Sequence, residues 1–64
     1  MKGFYKASMA EKDAGSRMIN LDEVAHCYTE MIAEKTYYMV ALKTGPILPV
    51  SKEAYEDIEA KLIA

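Results

Sequence analysis

Residues 35–63 of the chain read KTYYMVALKTGPILPVSKEAYEDIEAKLI, and this stretch decides the fold. Its first part, residues 35–42, carries the aromatic and β-branched side chains that suit a pleated strand. Successive side chains of a strand point to opposite faces. The predicted strand therefore has Tyr38, Val40 and Leu42 on one face and Tyr37, Met39 and Ala41 on the other.

A tight turn and a second, shorter strand follow. Thr44-Gly45 predicts a two-residue turn, because Gly accepts the positive φ that such turns require. Pro46 opens the next strand, where its missing N–H matters least. Pro49 differs from Pro46 in parity, so the two absent donors face opposite sides of that strand. Residues 47–50 are therefore predicted to form a short edge strand.

A C-terminal helix over residues 51–63 is predicted from its cap and its apolar stripe. Ser51 is the N-cap, since its hydroxyl accepts from an N–H of the first turn. Val50 before the cap and Tyr55 in the helix have the spacing of a hydrophobic staple. The apolar stripe comprises Ala54, Tyr55, Ile58 and Leu62. Acidic residues on the other side are expected to form a solvated face.

Length and composition predict one small domain spanning residues 1–64. Sixty-four residues are close to the lower limit for an independent core, so self-association would add stability. A single cysteine excludes an internal disulfide framework. The same cysteine usage indicates a reducing compartment, so we expect a cytoplasmic protein. We also expect no signal peptide and no membrane-spanning segment. The net charge of −2 indicates no intrinsic attraction to nucleic acid.

The N-terminal part is predicted to contain a strand and a loop. Residues 4–9 alternate, with Tyr5, Ala7 and Met9 on one face. Residues 10–16 read AEKDAGS and predict a mobile loop.

Residues 18–34 fit two structures. As a helix, Asn20 would cap and Glu23 would complete a capping box. In the second structure, residues 18–19 would belong to a strand that leads into a turn at residues 21–23, and residues 25–32 would form a second extended strand. The extended form places Ala25, Cys27, Thr29 and Met31 on one face. Periodicity alone favours the helix.

Three segments, INLDEV, YYMVALKTG and LPVSKEAYEDIEAKL, resemble the final part of LytTR-type DNA-binding domains. The resemblance covers residues 16–62 and only the second half of that family's domain. It implies strand structure over residues 25–32. The resulting expectation is an α+β fold, with a meander of three or four antiparallel strands and the C-terminal helix packed on one face.

The sequence departs from that family where DNA would be contacted. The family usually carries His-Arg-Ser before its strand, whereas Ala14 and Gly15 stand at the first two positions here and Ser16 matches. Near the helix, Lys52 matches and Glu53 replaces a second basic residue. A reduced nucleic-acid-binding domain is therefore the alternative function, and nucleic acid is not the expected partner. The residues expected to carry that alternative are Ser16, Arg17, Lys43 and Lys52.

No residue pattern predicts catalysis, a metal or a cofactor. His26 and Cys27 are adjacent, so on a strand they point to opposite faces and do not form a nucleophile–base pair. Cys27 is better explained as a small core residue. His26 and Glu30 could share a metal only on a helix. We therefore expect a protein that is not an enzyme.

The remaining signal comes from tyrosine and methionine. If the helix covers one sheet face, Tyr37, Met39 and Ala41 are left outward, unless the N-terminal segment folds over them. Tyr and Met are enriched in protein interfaces. We expect a non-catalytic protein-binding module, such as a regulatory subunit or small inhibitor of a larger complex, and a homodimer is a further expectation. The expected interface residues are Tyr37, Met39, Met31 and Tyr38.

Overall fold

A computed structural model describes residues 3–63 as five strands, two single turns of 3-10 helix and one α-helix. The elements are β1 (Phe4–Ser8), β2 (Ser16–Asn20), β3 (Val24–Ile32), β4 (Lys35–Leu42), β5 (Ile47–Val50) and α1 (Lys52–Ile63). The predicted α+β class, with antiparallel strands and a C-terminal helix packed on one face, is confirmed. The predicted meander is the three-stranded sheet β3-β4-β5, and the N-terminal half adds a separate two-stranded hairpin.

The strands form two antiparallel sheets that meet at β5. One sheet is the β1–β2 hairpin, and the other has the order β3-β4-β5. Met9 bridges to Val50, with Ala10 N donating to Pro49 O at 3.2 Å and Ser51 N donating to Ser8 O at 2.9 Å. The outer side of β5, predicted to be an edge, is therefore partly paired. Pro49 has no N–H, and this missing donor would have faced Met9–Ala10 and not β4. The prediction that the absent donors of Pro46 and Pro49 face opposite sides of the strand agrees with this.

The ambiguous segment 18–34 is a strand, a short turn and a second strand. Asn20 does act as a cap, and its Oδ1 accepts from Asp22 N at 3.0 Å, but the helix it starts is one 3-10 turn, Leu21–Glu23. The next nine residues pair with β4 as β3. Helical periodicity is overridden here because pairing with β4 provides a ladder of non-local hydrogen bonds. A bulge at Val24/His26 leaves Ala25 unpaired.

The connection from β4 to β5 is longer than the predicted two-residue turn. Gly45 N donates to Leu42 O at 3.0 Å, and Leu42 N donates to Pro46 O at 2.9 Å. A turn centred on Thr44-Gly45 would need Pro46 N–H to close it, and proline has none. The chain therefore closes the turn one residue earlier and uses Gly45 as the donor. Gly45 still supplies the positive φ, at 118°.

One core lies between the helix, the β1–β2 hairpin and one face of the three-stranded sheet. The predicted helix cap is confirmed, since Ala54 N donates to Ser51 Oγ at 3.1 Å. The predicted stripe also lies inward, with Ala54 and Ile58 buried and Tyr55 and Leu62 packed against the cluster. The buried apolar cluster comprises Ala7, Ile19, Leu21, Val24, Val40, Leu48, Val50, Ala54 and Ile58. Within residues 3–63, no helix has the length and apolar character needed to cross a bilayer.

The predicted N-terminal strand is confirmed, and the predicted loop is shorter than expected. Tyr5, Ala7 and Met9 all face the core. The loop ends before Ser16, which starts β2. Between them, Met9 N donates to Gly15 O at 3.1 Å and Ala14 N donates to Glu11 O at 3.1 Å. These bonds give the loop a defined backbone path, while its mobility stays a prediction.

A hydrogen bond between Tyr5 and Asp57 joins β1 to α1 and makes stability depend on pH. The Tyr5 hydroxyl donates to Asp57 Oδ2 at 2.6 Å, and this bond, with burial and nearby carboxylates, raises the pKa of Tyr5 to about 12. We expect Tyr5→Phe to lower the free energy of unfolding by about 1 kcal/mol at pH 7. Because the folded-state pKa lies above the unfolded value of about 10, this contribution is complete below pH 10 and is lost as pH rises towards 12.

Urea unfolding of wild type and Tyr5→Phe at pH 7 and pH 11 measures this difference. Tyr28→Phe is the matched control, because it removes a tyrosine hydroxyl from β3 that is not bonded to the helix. An equal loss of unfolding free energy in Tyr5→Phe and Tyr28→Phe would contradict a stabilising bond between Tyr5 and Asp57. So would a difference between wild type and Tyr5→Phe that is as large at pH 11 as at pH 7.

The β3–β4 turn is strained and offers a stabilising substitution. Its two central residues, Ala33 and Glu34, have φ of 50° and 66°. Such left-handed conformations cost non-glycine residues about 1 kcal/mol or more each. We expect Ala33→Asn with Glu34→Gly, the preferred pair for this turn, to raise the free energy of unfolding by about 1 kcal/mol. Thermal unfolding measures the change, and Gly45→Ala, which creates a strained residue, should shift stability in the opposite direction.

Candidate protein-binding surface

The face of the three-stranded sheet opposite the helix is apolar at its centre, and no helix or strand of residues 3–63 packs on it. We call it the open face. The register pairs His26 with Ala41, Tyr28 with Met39 and Glu30 with Tyr37 across β3 and β4, and it pairs Met39 with Pro49 and Ala41 with Ile47 across β4 and β5. Directly paired residues share a face. The open face therefore comprises His26, Tyr28, Glu30, Tyr37, Met39, Ala41, Ile47 and Pro49.

Aromatic contacts hold the side chains of the open face in place. The rings of His26 and Tyr28 lie 5.6 Å apart between centroids, and Lys35 Nζ lies 5.3 Å from the centroid of the Tyr37 ring. Ile47 is 49% exposed on the neighbouring strand β5. Charged groups therefore border an apolar centre, which is the arrangement typical of a protein interface.

The structure separates the four residues predicted to form the interface. Tyr37 and Met39 lie on the open face, as expected. Tyr38 lies on the helix face, where its ring is 5.3 Å from that of Tyr55. Met31 pairs with Thr36, so it shares the helix side of the sheet, but it extends beyond the helix at the hairpin end and is 73% exposed. The prediction grouped residues that are near in sequence, and alternation along the strand divides them.

Ala41 also lies on the open face, as expected, although His26 and Ile47 flank it in register and leave it 6% exposed. The alternative, in which the N-terminal segment folds over this face, is not what residues 3–20 do. The inward residues of β1 and β2 join the core on the helix side.

Five residues of the open face were not predicted from the sequence: His26, Tyr28, Glu30, Ile47 and Pro49. Alternation along each strand assigns these residues to one of the two faces of their own strand. Alternation alone does not give the pairing between strands, and this pairing decides which strand faces form the same face of the sheet. The β4–β5 register follows from the Leu42–Gly45 turn, which was predicted one residue too late.

A cleft of about 510 Å³ adjoins the open face where β5 ends. β5 stops at Val50, opposite Tyr38, so Thr36 has no partner on that side of β4. The loop 10–14 and the helix start close the remaining sides of the gap. Its lining includes Ala10, Glu11, Lys35, Tyr37, Ser51 and Lys52. Tyr37 therefore belongs to both the open face and the cleft.

The residues of the nucleic-acid alternative are only partly brought together. Ser16 pairs with Ser8, and Ser8 Oγ lies 2.6 Å from Ser51 Oγ, which places Ser16 near the start of the helix and Lys52. Arg17 follows Ser16 on β2 and is exposed. Lys43 lies at the opposite end of β4. It is five residues beyond the point where β4 meets Val50, roughly 17 Å along a strand.

The only histidine and the only cysteine lie on opposite faces of β3. His26 is on the open face, whereas Cys27 pairs with Val40 and packs against the core. Burial raises the pKa of the Cys27 thiol, and the carboxylate of Glu59 raises it further. A raised pKa keeps the thiol protonated and unreactive. Among residues 3–63, no group of three or more His, Cys, Asp or Glu side chains is placed to hold a metal ion.

Comparison with known proteins provides no relative. The sequence matches no protein-family model and no curated protein, and no solved structure matches the chain. The resemblance to LytTR-type domains therefore stays a hypothesis from sequence.

Alkylation of Cys27 tests the assignment of this residue to the core. We expect iodoacetamide to modify the folded protein at pH 8 several times more slowly than the urea-unfolded chain, since its thiolate fraction is reduced. Glu59→Gln should speed the reaction modestly, because burial is the larger cause of the raised pKa. Glu56→Gln, an exposed change on the same helix, is the control. Mass spectrometry follows the rate, and equal rates in folded and unfolded protein would refute the assignment.

Proposed function

We propose that this chain is a small non-catalytic binding module that docks an apolar segment of a partner protein on its open face. It would serve as a regulatory subunit or as an inhibitor of a larger complex. A cytoplasmic location belongs to the same proposal. It rests on the single cysteine, which is unpaired and half-buried.

The observation that carries this proposal is the uncovered apolar centre of the sheet. The helix and the N-terminal hairpin both pack on the opposite face. Tyr28, Tyr37 and Met39 are half-exposed in the middle of the open face, beside the more exposed Ile47 and Pro49. Tyrosine and methionine suit an interface, because their side chains bury apolar area while the tyrosine hydroxyl keeps a polar contact.

The chemistry of the surface favours a protein segment as its occupant. The open face extends across three strands, whereas small-molecule sites are concave and bury most of the ligand. Lys35 and Glu30 stand at the hairpin end of the face, one of each sign, so the rim offers charge partners of both kinds. A segment with an apolar centre and polar flanks fits this pattern.

Nucleic-acid binding is a second candidate. The row formed by Ser16, Ser8 and Ser51, next to Lys52, supports it, because hydroxyls and a lysine at a helix start can contact phosphate. The net charge of −2 and the distance to Lys43 weigh against it. A gel shift with duplex DNA at several salt concentrations decides: tight binding that weakens steeply with salt would favour this candidate over protein binding.

Affinity capture from the native host tests the proposed function. We compare wild type with Met39→Glu, which places a charge in the centre of the open face. The proposal expects the recovery of specific partners to fall about tenfold or more, as for a residue at the centre of an interface. Quantitative mass spectrometry of the captured proteins measures the change.

Met18→Glu is the matched control. It makes the same chemical change at another strand residue, which is 60% exposed on the outer face of the N-terminal hairpin. Circular dichroism must show that both variants are folded. Full recovery of the partners with Met39→Glu, or an equal loss with Met18→Glu, would reject the open face as the binding surface.

A further inference from the structure

β3 has one side that no strand among residues 3–63 pairs with. It lies at the end of the sheet order β3-β4-β5 and is nine residues long. Natural edge strands are protected from pairing by proline, lysine, short length or bulges. The sequence VAHCYTEMI contains no proline, glycine or lysine, and its bulge lies at the start, at Val24/His26. From His26 to Ile32 the edge is unprotected.

The backbone groups that face outward from β3 follow from the hydrogen bonds of β4. Leu42 N donates to Pro46 O, so Leu42 directs its backbone groups towards β5. Directions alternate along a strand. Tyr37 and Met39 therefore direct theirs towards β3, where Glu30 and Tyr28 are their partners. The intervening residues of β3, which are Cys27, Thr29 and Met31, have their N–H and C=O groups pointing away from the sheet.

We propose that two copies of this chain pair antiparallel through their β3 edges, with Tyr28 on the two-fold axis. Tyr28 is the middle residue of β3, so this register overlaps the strand along its full length. It places His26 opposite Glu30 of the second copy, and by symmetry the pair occurs twice. It also places Cys27 opposite Thr29, both of which have outward-facing backbone groups. The occupant of the edge is therefore a strand identical to β3, which matches its backbone hydrogen bonding and sets the imidazole of His26, a hydrogen-bond donor, opposite the carboxylate of Glu30.

Other registers satisfy fewer of these conditions. A shift by one residue sets an outward-facing backbone group against an inward-facing one, so the ladder is lost. A two-fold axis on Thr29 restores the ladder but moves Glu30 opposite Tyr28 and away from His26. An axis on Cys27 sets Val24, which is buried, opposite Glu30. Only the axis on Tyr28 combines the ladder with both His26–Glu30 pairs.

The paired dimer contains one sheet of six strands, three from each copy. Tyr28 meets its own copy on the open face, since residues opposite each other share a face. The two open faces then lie side by side and both helices lie on the other side. The pairing depends on the outward backbone groups of Cys27, Thr29 and Met31, which lie off the open face, whereas partner binding is centred on Met39 of β4. One interaction can therefore fail while the other is present.

Sedimentation equilibrium of the purified chain tests the proposal. We expect a monomer–dimer equilibrium for wild type between low and high micromolar concentration. His26→Glu sets two carboxylates opposite one another and should raise the dissociation constant about tenfold, since the change acts on two symmetry-related pairs. The double variant His26→Glu with Glu30→Lys restores opposite charges and should recover the wild-type value.

Two further variants keep the test decisive. Thr29→Pro removes an outward N–H without removing a bond to β4 and should abolish dimers. Met18→Glu, on the N-terminal hairpin, should leave the equilibrium unchanged. A wild type that stays monomeric at several hundred micromolar overturns the proposal. Loss of dimers in Tyr37→Glu, with no effect of the charge variants, also overturns it, because the copies would then meet through their open faces.

Disulfide cross-linking tests the register. In a Cys27→Ala background, Tyr28→Cys places two thiols opposite each other on the axis, where Cα atoms about 4.5 Å apart allow a disulfide. Thr29→Cys in the same background places them diagonally, about 7–8 Å apart, beyond that range. Oxidation should therefore link Tyr28→Cys rapidly and Thr29→Cys poorly. The reverse order would show that the axis lies elsewhere, and the register proposed here would be wrong.

Discussion

The alternation of side chains along β4 is the constraint on which the rest of the structure depends. β4 is paired on both sides, by β3 and by β5. Val40, fully buried, packs with Ile58 and Val50 in the core. Its neighbours in sequence, Met39 and Ala41, must then point the other way. The same alternation that builds the core on one face therefore exposes an apolar surface on the other.

The two prolines of β5 control how this sheet ends. Pro46 has no N–H to close a two-residue turn, so Gly45 N–H closes the turn by donating to Leu42 O. β5 then begins at Ile47, directly after Pro46. Pro49 has no donor to offer on its outer side, yet its carbonyl accepts from Ala10 N. Two backbone bonds around the Met9–Val50 bridge are therefore enough to tie the N-terminal hairpin to the sheet. With that side of β5 engaged, the free edge of the sheet lies at β3.

Much of the fold could be predicted from local signals in the sequence. The helix depends on Ser51 and on the stripe around Ile58, both of which are readable within a few residues. The length of the β4–β5 turn was also within reach, since the missing N–H of Pro46 is visible in the sequence. Asn20 shows the opposite case. Its capping signal is real, but the length of the helix that follows depends on competition from β4, which is distant in sequence.

The candidate surface was harder to predict than the fold, because it depends on pairing between strands. Tyr37 and Tyr38 are adjacent and chemically identical, yet one lies on the open face and the other packs against Tyr55. Tyr28 and Ile47 join the open face only through the register of β3 and β5 with β4. No local pattern contains that register, since it is fixed by turns and by the core as a whole.

The size of the core gives a reason for both proposed interactions. Among the described side chains, the largest with less than 2% exposure are Ile58, Val40 and Val50, so the hydrophobic stabilisation available inside one copy is small. A domain of this length buries only about 60% of its unfolded surface. A ligand that binds only the folded state stabilises that state in proportion to the logarithm of its concentration. A partner on the open face and a second copy at β3 would both act in this way. Because His26, Tyr28 and Glu30 belong to both surfaces, the two contributions would be coupled and not simply additive.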